Sequence, residues 1–151
     1  MSMTSQFPTP PLATTSERPE TPSSVPATIA YAVVCGAAAA FIGTILHAQI
    51  IFFGDFPLTW GAVVSLVAAG LLFIYVGLKT LRVWSTAVAG IIAYVLVAWS
   101  AMDPNNRFIV PMDYVSYFPG PAIAGAIWVY GVAAATLVAL IVVARRLKRS
   151  R

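Results

Sequence analysis

PLTWGAVVSLVAAGLLFIYVGLKTLRVWSTAVAGIIAYVLVAWSA, residues 57–101, carries only two charged side chains, Lys79 and Arg82, and both fall near its middle. A helix rises about 1.5 Å per residue and the hydrocarbon core of a bilayer is about 30 Å thick, so one crossing needs roughly 20 apolar residues. The stretch supplies that length twice, at residues 57–78 and 83–101, joined by a turn that leaves room only for antiparallel neighbours. Pro57 is expected in the first turn of the earlier span, where its missing N–H costs nothing. Trp84 and Trp99 bracket the later one, at the two interfaces where amphipathic indoles are favoured. The pattern is that of a helical hairpin across a membrane.

The flanking sequence extends the same reading. Residues 27–53 carry no formal charge and residues 120–144 carry none either, so a further span lies on each side. Over the whole 151-residue chain 60% of residues are hydrophobic and 9% charged, against roughly 25% charged in an ordinary soluble domain. Such a chain cannot cover a water-facing surface. Residues 1–26 contain Pro8, Pro10, Pro11, Pro19, Pro22 and Pro26 among serines and threonines, which breaks helices and leaves little to bury, so they read as a disordered cytoplasmic tail. The expected architecture is an all-α membrane protein: a four-helix transmembrane bundle with a disordered N-terminal tail and a basic tail at residues 145–151.

Orientation follows from the basic residues. With four spans, both termini and the 79–82 turn share one side, which holds Arg18, Lys79, Arg82, Arg145, Arg146, Lys148, Arg149 and Arg151; the other side holds Arg107. That asymmetry places the termini in the cytoplasm of a bacterial plasma membrane. The first span is not a cleaved signal, because Glu17, Arg18 and Glu20 make its flank net negative and its apolar run is of spanning length. Val34 also fills the position before Cys35 where a lipid-attachment motif needs a small residue. Cys35 is then a small packing residue, and a single cysteine excludes an internal disulfide.

Helices in lipid gain little from burying apolar surface against one another, so close approach through small residues matters more. Ala32, Gly36, Ala40, Thr44 and Ala48 recur every fourth residue in the first span and form one packing seam. Shorter seams recur at Gly61, Ser65 and Ala69, at Ser85, Ala89 and Ala93, and at Gly131, Ala135 and Ala139.

Few groups could carry chemistry. His47 is the one histidine, a turn inside the outer end of the first span, and ionisable groups at such depth tend to mark pathways or pairs. Asp55 follows closely enough for a bent helix end to bring the two together, a candidate proton-active pair of the kind that titrates near neutral pH. The alternative is an interfacial histidine bonded to a carbonyl or to water. Asp103 and Asp113 sit in turn-rich sequence, where a carboxylate caps its own backbone, and nothing in their spacing enforces a catalytic pair. No metal-ligand spacing, phosphate loop or nucleophile motif occurs, and no cofactor or nucleic-acid partner is expected. The basic run Arg145, Arg146, Lys148, Arg149 and Arg151 suits anionic lipid headgroups.

Three features fall together over residues 30–143: a first span ending near His47-Ala48-Gln49, the segment Gly-Asp-Phe-Pro-Leu-Thr-Trp-Gly at 54–61, and a fourth span opening after Phe118-Pro119-Gly120-Pro121. In these the chain resembles a family of small uncharacterised four-span membrane proteins of high-GC Gram-positive bacteria. The resemblance implies the four-span layout and assigns no functional residue. In size and topology the chain is also similar to accessory subunits of the respiratory supercomplex of those bacteria. The expected function is a non-enzymatic accessory or assembly subunit of a larger inner-membrane complex, among other membrane protein subunits. The alternative is a small transporter or proton-linked carrier using His47 and Asp55.

Overall fold

A computed structural model describes residues 23–54, 56–103 and 108–150. Among the described residues four helices dominate: α1 (Val25–Leu46), α2 (Trp60–Thr80), α3 (Val83–Met102) and α4 (Pro119–Arg149). Each is long and apolar enough to cross a membrane, so the chain is an all-α four-helix membrane bundle. At 1.5 Å per residue the first three are about 30–33 Å long, a single bilayer crossing. α4 has 31 residues and exceeds that by roughly 15 Å. Its excess carries the basic residues, so the expected tail is the helix's own last turns. There Arg146, Lys148 and Arg149 oppose the negative end of the helix dipole.

α1 packs on α2 and α3, and α4 packs on the same two, so α1 and α4 occupy opposite corners of the bundle. The α1–α3 seam is tight at Gly36, where a Cβ would lie 2.5 Å from the Ala89 carbonyl oxygen and 3.1 Å from the Ile92 Cβ. Any larger residue must push the helices apart. Of the expected first seam, Ala32, Gly36 and Ala40 are buried, Thr44 is half-buried and Ala48 is exposed. The stripe loses its last member because α1 ends at Leu46.

That early end is the main departure from expectation. The first span does not continue to residue 53, and Pro57 does not start a helix. Instead β1 (Ile51–Phe53) and β2 (Phe56–Leu58) form an antiparallel hairpin with Ile51 opposite Leu58, Phe52 opposite Pro57 and Phe53 opposite Phe56. β-Branched and aromatic residues favour extended backbone. A two-residue connection begins with Gly54 at φ +62°, the positive φ that tight hairpin turns require at this position. Pro57 faces Phe52, one pair removed from the Phe53–Phe56 pair that closes the turn. In alternating antiparallel pairing that is a position where no N–H is needed across the ladder.

At the opposite end α2 and α3 are joined through Leu81 and Arg82. Leu81 adopts φ 54°, ψ 32°, and the Arg82 amide donates back to the Gly77 carbonyl at 3.2 Å, which closes the helix end. Buried hydroxyls line this junction. Thr80 Oγ1 lies 2.8 Å from the Val76 carbonyl and 2.7 Å from Ser85 Oγ, which lies 2.7 Å from the Arg82 carbonyl. The two hydroxyl protons make two of these three contacts hydrogen bonds at a time, and the turn is stitched to both helices.

After α3, the described part of the loop touches the bundle at Ile109. A 3₁₀ turn, Met112–Tyr114, leads into α4, and Ile109 is buried at 3% exposure. It packs over Gly125 of α4, where a Cβ would lie 2.8 Å from its Cγ2.

Candidate functional site

His47 immediately follows the last residue of α1, its amide bonded to the Gly43 carbonyl at 2.8 Å. The side chain is only 2% exposed. Its Nδ1 lies 2.6 Å from the Thr44 carbonyl oxygen, which only accepts, so Nδ1 carries the proton and donates. The ring lies nearly parallel to the Trp128 indole, 6.4 Å between centroids and 21° between planes.

Trp128 is the largest fully buried side chain among the described residues, and it links the two corner helices. Its indole Nε1 donates to Thr44 Oγ1 at 3.3 Å. The six-membered part of the ring rests on Gly43: a Cβ there would collide with Cη2 and Cζ2 and come within 2.9 Å of Cζ3. From α2, Ser65 Oγ donates to the Gly43 carbonyl at 3.2 Å. Gly43, Thr44, His47, Ser65 and Trp128 therefore form one buried knot joining α1, α2 and α4. An indole N–H and an imidazole within an apolar bundle both need partners, and here α1 supplies them from a single turn.

Asp55, the expected partner of His47, lies outside the described residues, and so do Arg107 and Arg151. The contacts that place His47 come from α1 and α4. Among the described residues no group of three or more His, Cys, Asp or Glu side chains could hold a metal ion. Arg145, Arg146, Lys148 and Arg149 are exposed at the end of α4.

A second feature is the hairpin itself. Ile51, Phe52, Phe53, Phe56 and Leu58 are all exposed, Phe53 and Phe56 by 64% and 66%. Yet the hairpin is seated on the bundle: a Cβ at Gly120 of α4 would lie 3.1 Å from Pro57 Cβ and 3.5 Å from Phe52 Cζ. Tyr117 and Phe118, exposed by 78% and 58%, immediately precede α4 at the same end. Among the described residues, the hairpin with Tyr117 and Phe118 thus presents an exposed apolar and aromatic surface at this end of the protein.

Sequence reasoning named His47 and Thr44 but missed Gly43, Trp128 and the hairpin. Two signals point to them. Trp128 lies well inside the span at residues 120–144, unlike Trp84 and Trp99 near span ends, and an indole N–H at that depth demands an acceptor. Ile50-Ile51-Phe52-Phe53 followed by Gly54-Asp55 and Phe56-Pro57-Leu58 is a hairpin pattern, hidden by its continuity with an apolar helix. The chain matches no protein-family model, no curated protein and no solved structure.

Proposed function

We propose that this integral membrane protein is a non-enzymatic accessory or assembly subunit of a larger inner-membrane complex, a respiratory complex being the first candidate. The observation that carries the reading is the aromatic hairpin, exposed on its outward side chains and seated on α4 through Pro57 and Phe52. Exposed apolar groups packed against the bundle at its loop end suit docking to another membrane subunit. The knot around Trp128 supports the same reading, since it uses the polar groups of the outer bundle for cohesion between helices. Both termini lie on the cytoplasmic side in this proposal, and the basic end of α4 meets anionic lipid headgroups.

Purification in mild detergent at native expression is the test. A wild-type chain that brings down a defined membrane partner, and a Phe53→Ser/Phe56→Ser variant that folds but loses it, would support the proposal. A 16.0 kDa chain running alone would end it. Loss of a transport activity in His47→Ala, with the partner unaffected or missing, would instead favour a carrier.

A further inference from the structure

Where the Leu81–Arg82 turn meets the last turns of α4, a cleft of about 460 Å³ opens with Arg82 on one side and Lys148 on the other. Leu81, Val83, Ala144 and Leu147 give it apolar walls. The size falls within the roughly 300–1,000 Å³ of small-ligand sites. Arg82 is only partly satisfied by the protein: Nη2 donates to the Ser23 carbonyl at 3.3 Å, and Nε is buried with no partner. A guanidinium has five N–H donors; the buried Nε is closed to a ligand, and the Nη donors that Ser23 does not use are left for an acceptor.

Among the described residues the surroundings offer the wrong sign of charge. All described charged side chains at this end are cations: Lys79, Arg82, Arg145, Arg146, Lys148 and Arg149. The described acids, Asp103 and Asp113, belong to the opposite end. Arg82 is also the N-cap of α3, whose first turn has neither a side-chain cap nor an acidic residue, so free amides add positive potential at the same place. Leu81 holds a left-handed conformation and the Arg82 amide bonds back to the Gly77 carbonyl, so the backbone at the cleft edge is tied to the end of α2.

We propose that this cleft binds the phosphate of an anionic phospholipid, with Arg82 and Lys148 as its ligands. A lipid fits better than a free phosphate because of depth. Trp84, a cleft residue 39% exposed in the first turn of α3, lies at the level where indoles meet headgroups, and the apolar walls suit the glycerol and first methylenes of acyl chains. The site is distinct from diffuse attraction to the basic end of α4. It rests on the chain spanning a bilayer and not on its having a protein partner.

The full chain, delipidated in detergent, would be titrated with phosphatidylglycerol, phosphatidylcholine or inorganic phosphate and its bound ligands counted by native mass spectrometry. One phosphatidylglycerol should bind in preference to phosphatidylcholine. Arg82→Gln and Lys148→Gln should each weaken it about tenfold, the scale of one lost charge-assisted hydrogen bond. Arg145→Gln, an equal loss of charge outside the cleft, should weaken it about twofold or less. Because Arg82→Gln also frees the Ser23 carbonyl, Lys148→Gln decides the matter if Arg82→Gln fails to fold. Equal effects of Lys148→Gln and Arg145→Gln, or no preference for phosphatidylglycerol, would overturn the site. Full competition by inorganic phosphate at millimolar concentration would overturn the lipid as its ligand.

Discussion

Replacing Gly43 by alanine adds one methyl group, and the structure gives its consequence a sign and a size. In an open helical position the change stabilises, by about 0.5–1 kcal/mol, because glycine loses more backbone freedom on folding. At Gly43 the new Cβ falls on the Trp128 ring, which is fully buried and bonded through Nε1 to Thr44, so neither group can swing aside. Overpacking of this kind costs about 1–3 kcal/mol, and the directness of the collision argues for the upper end. The net expectation is destabilisation of about 2 kcal/mol. Gly70 is the internal control: it lies in α2 with nothing within 4 Å of the place a methyl carbon would take, so Gly70→Ala should be neutral or stabilising. Trp128→Phe removes the outer ring atoms, and in that background Gly43→Ala should lose most of its penalty, a coupling of about 2 kcal/mol. Midpoints of mixed-micelle denaturation followed by near-ultraviolet circular dichroism would give all four values. Equal effects of Gly43→Ala and Gly70→Ala, or an undiminished penalty in the Trp128→Phe background, would refute the knot as the link between α1 and α4.

Two further outcomes are read by the same measurement. Gly36→Leu should destabilise by at least about 1–3 kcal/mol because it forces α1 from α3, and Ala40→Leu, at a residue 4% exposed, should also destabilise, whereas Ile42→Leu, at a side chain 47% exposed, should change little. His47→Ala removes a buried ring and its bond to the Thr44 carbonyl, for a loss of about 2–3 kcal/mol. His47→Asn, whose amide N–H₂ can replace the Nδ1 donor, should recover about 1 kcal/mol of that, and identical midpoints for the two would show that the hydrogen bond contributes nothing.

The membrane bundle was legible in the sequence because bilayer thickness converts directly into apolar length, and Lys79 and Arg82 mark the turn between α2 and α3. Ala32, Gly36 and Ala40 were also legible, since a fourfold repeat of small residues leaves one face of α1 flat. The end of α1 was not. Hydropathy treats Ile51, Phe52 and Phe53 like any helical residues, and only pairing with Phe56, Pro57 and Leu58 distinguishes a strand there. The stacked ring beside His47 was hidden for another reason: Trp128 lies 81 positions along the chain, in the helix at the opposite corner, and no local pattern records a contact of that range.

The proposed crossing of the membrane by α4, with its basic end in the cytoplasm, is tested most directly by chemical labelling in intact cells. In a Cys35→Ser background, Ser116→Cys lies exposed between the 3₁₀ turn and α4, and Ser150→Cys lies exposed at the end of α4. A membrane-impermeant maleimide should label Ser116→Cys in intact cells and Ser150→Cys only after permeabilisation. Labelling of both positions from the same side would contradict the passage of α4 through the membrane, and the reverse pattern would contradict the orientation.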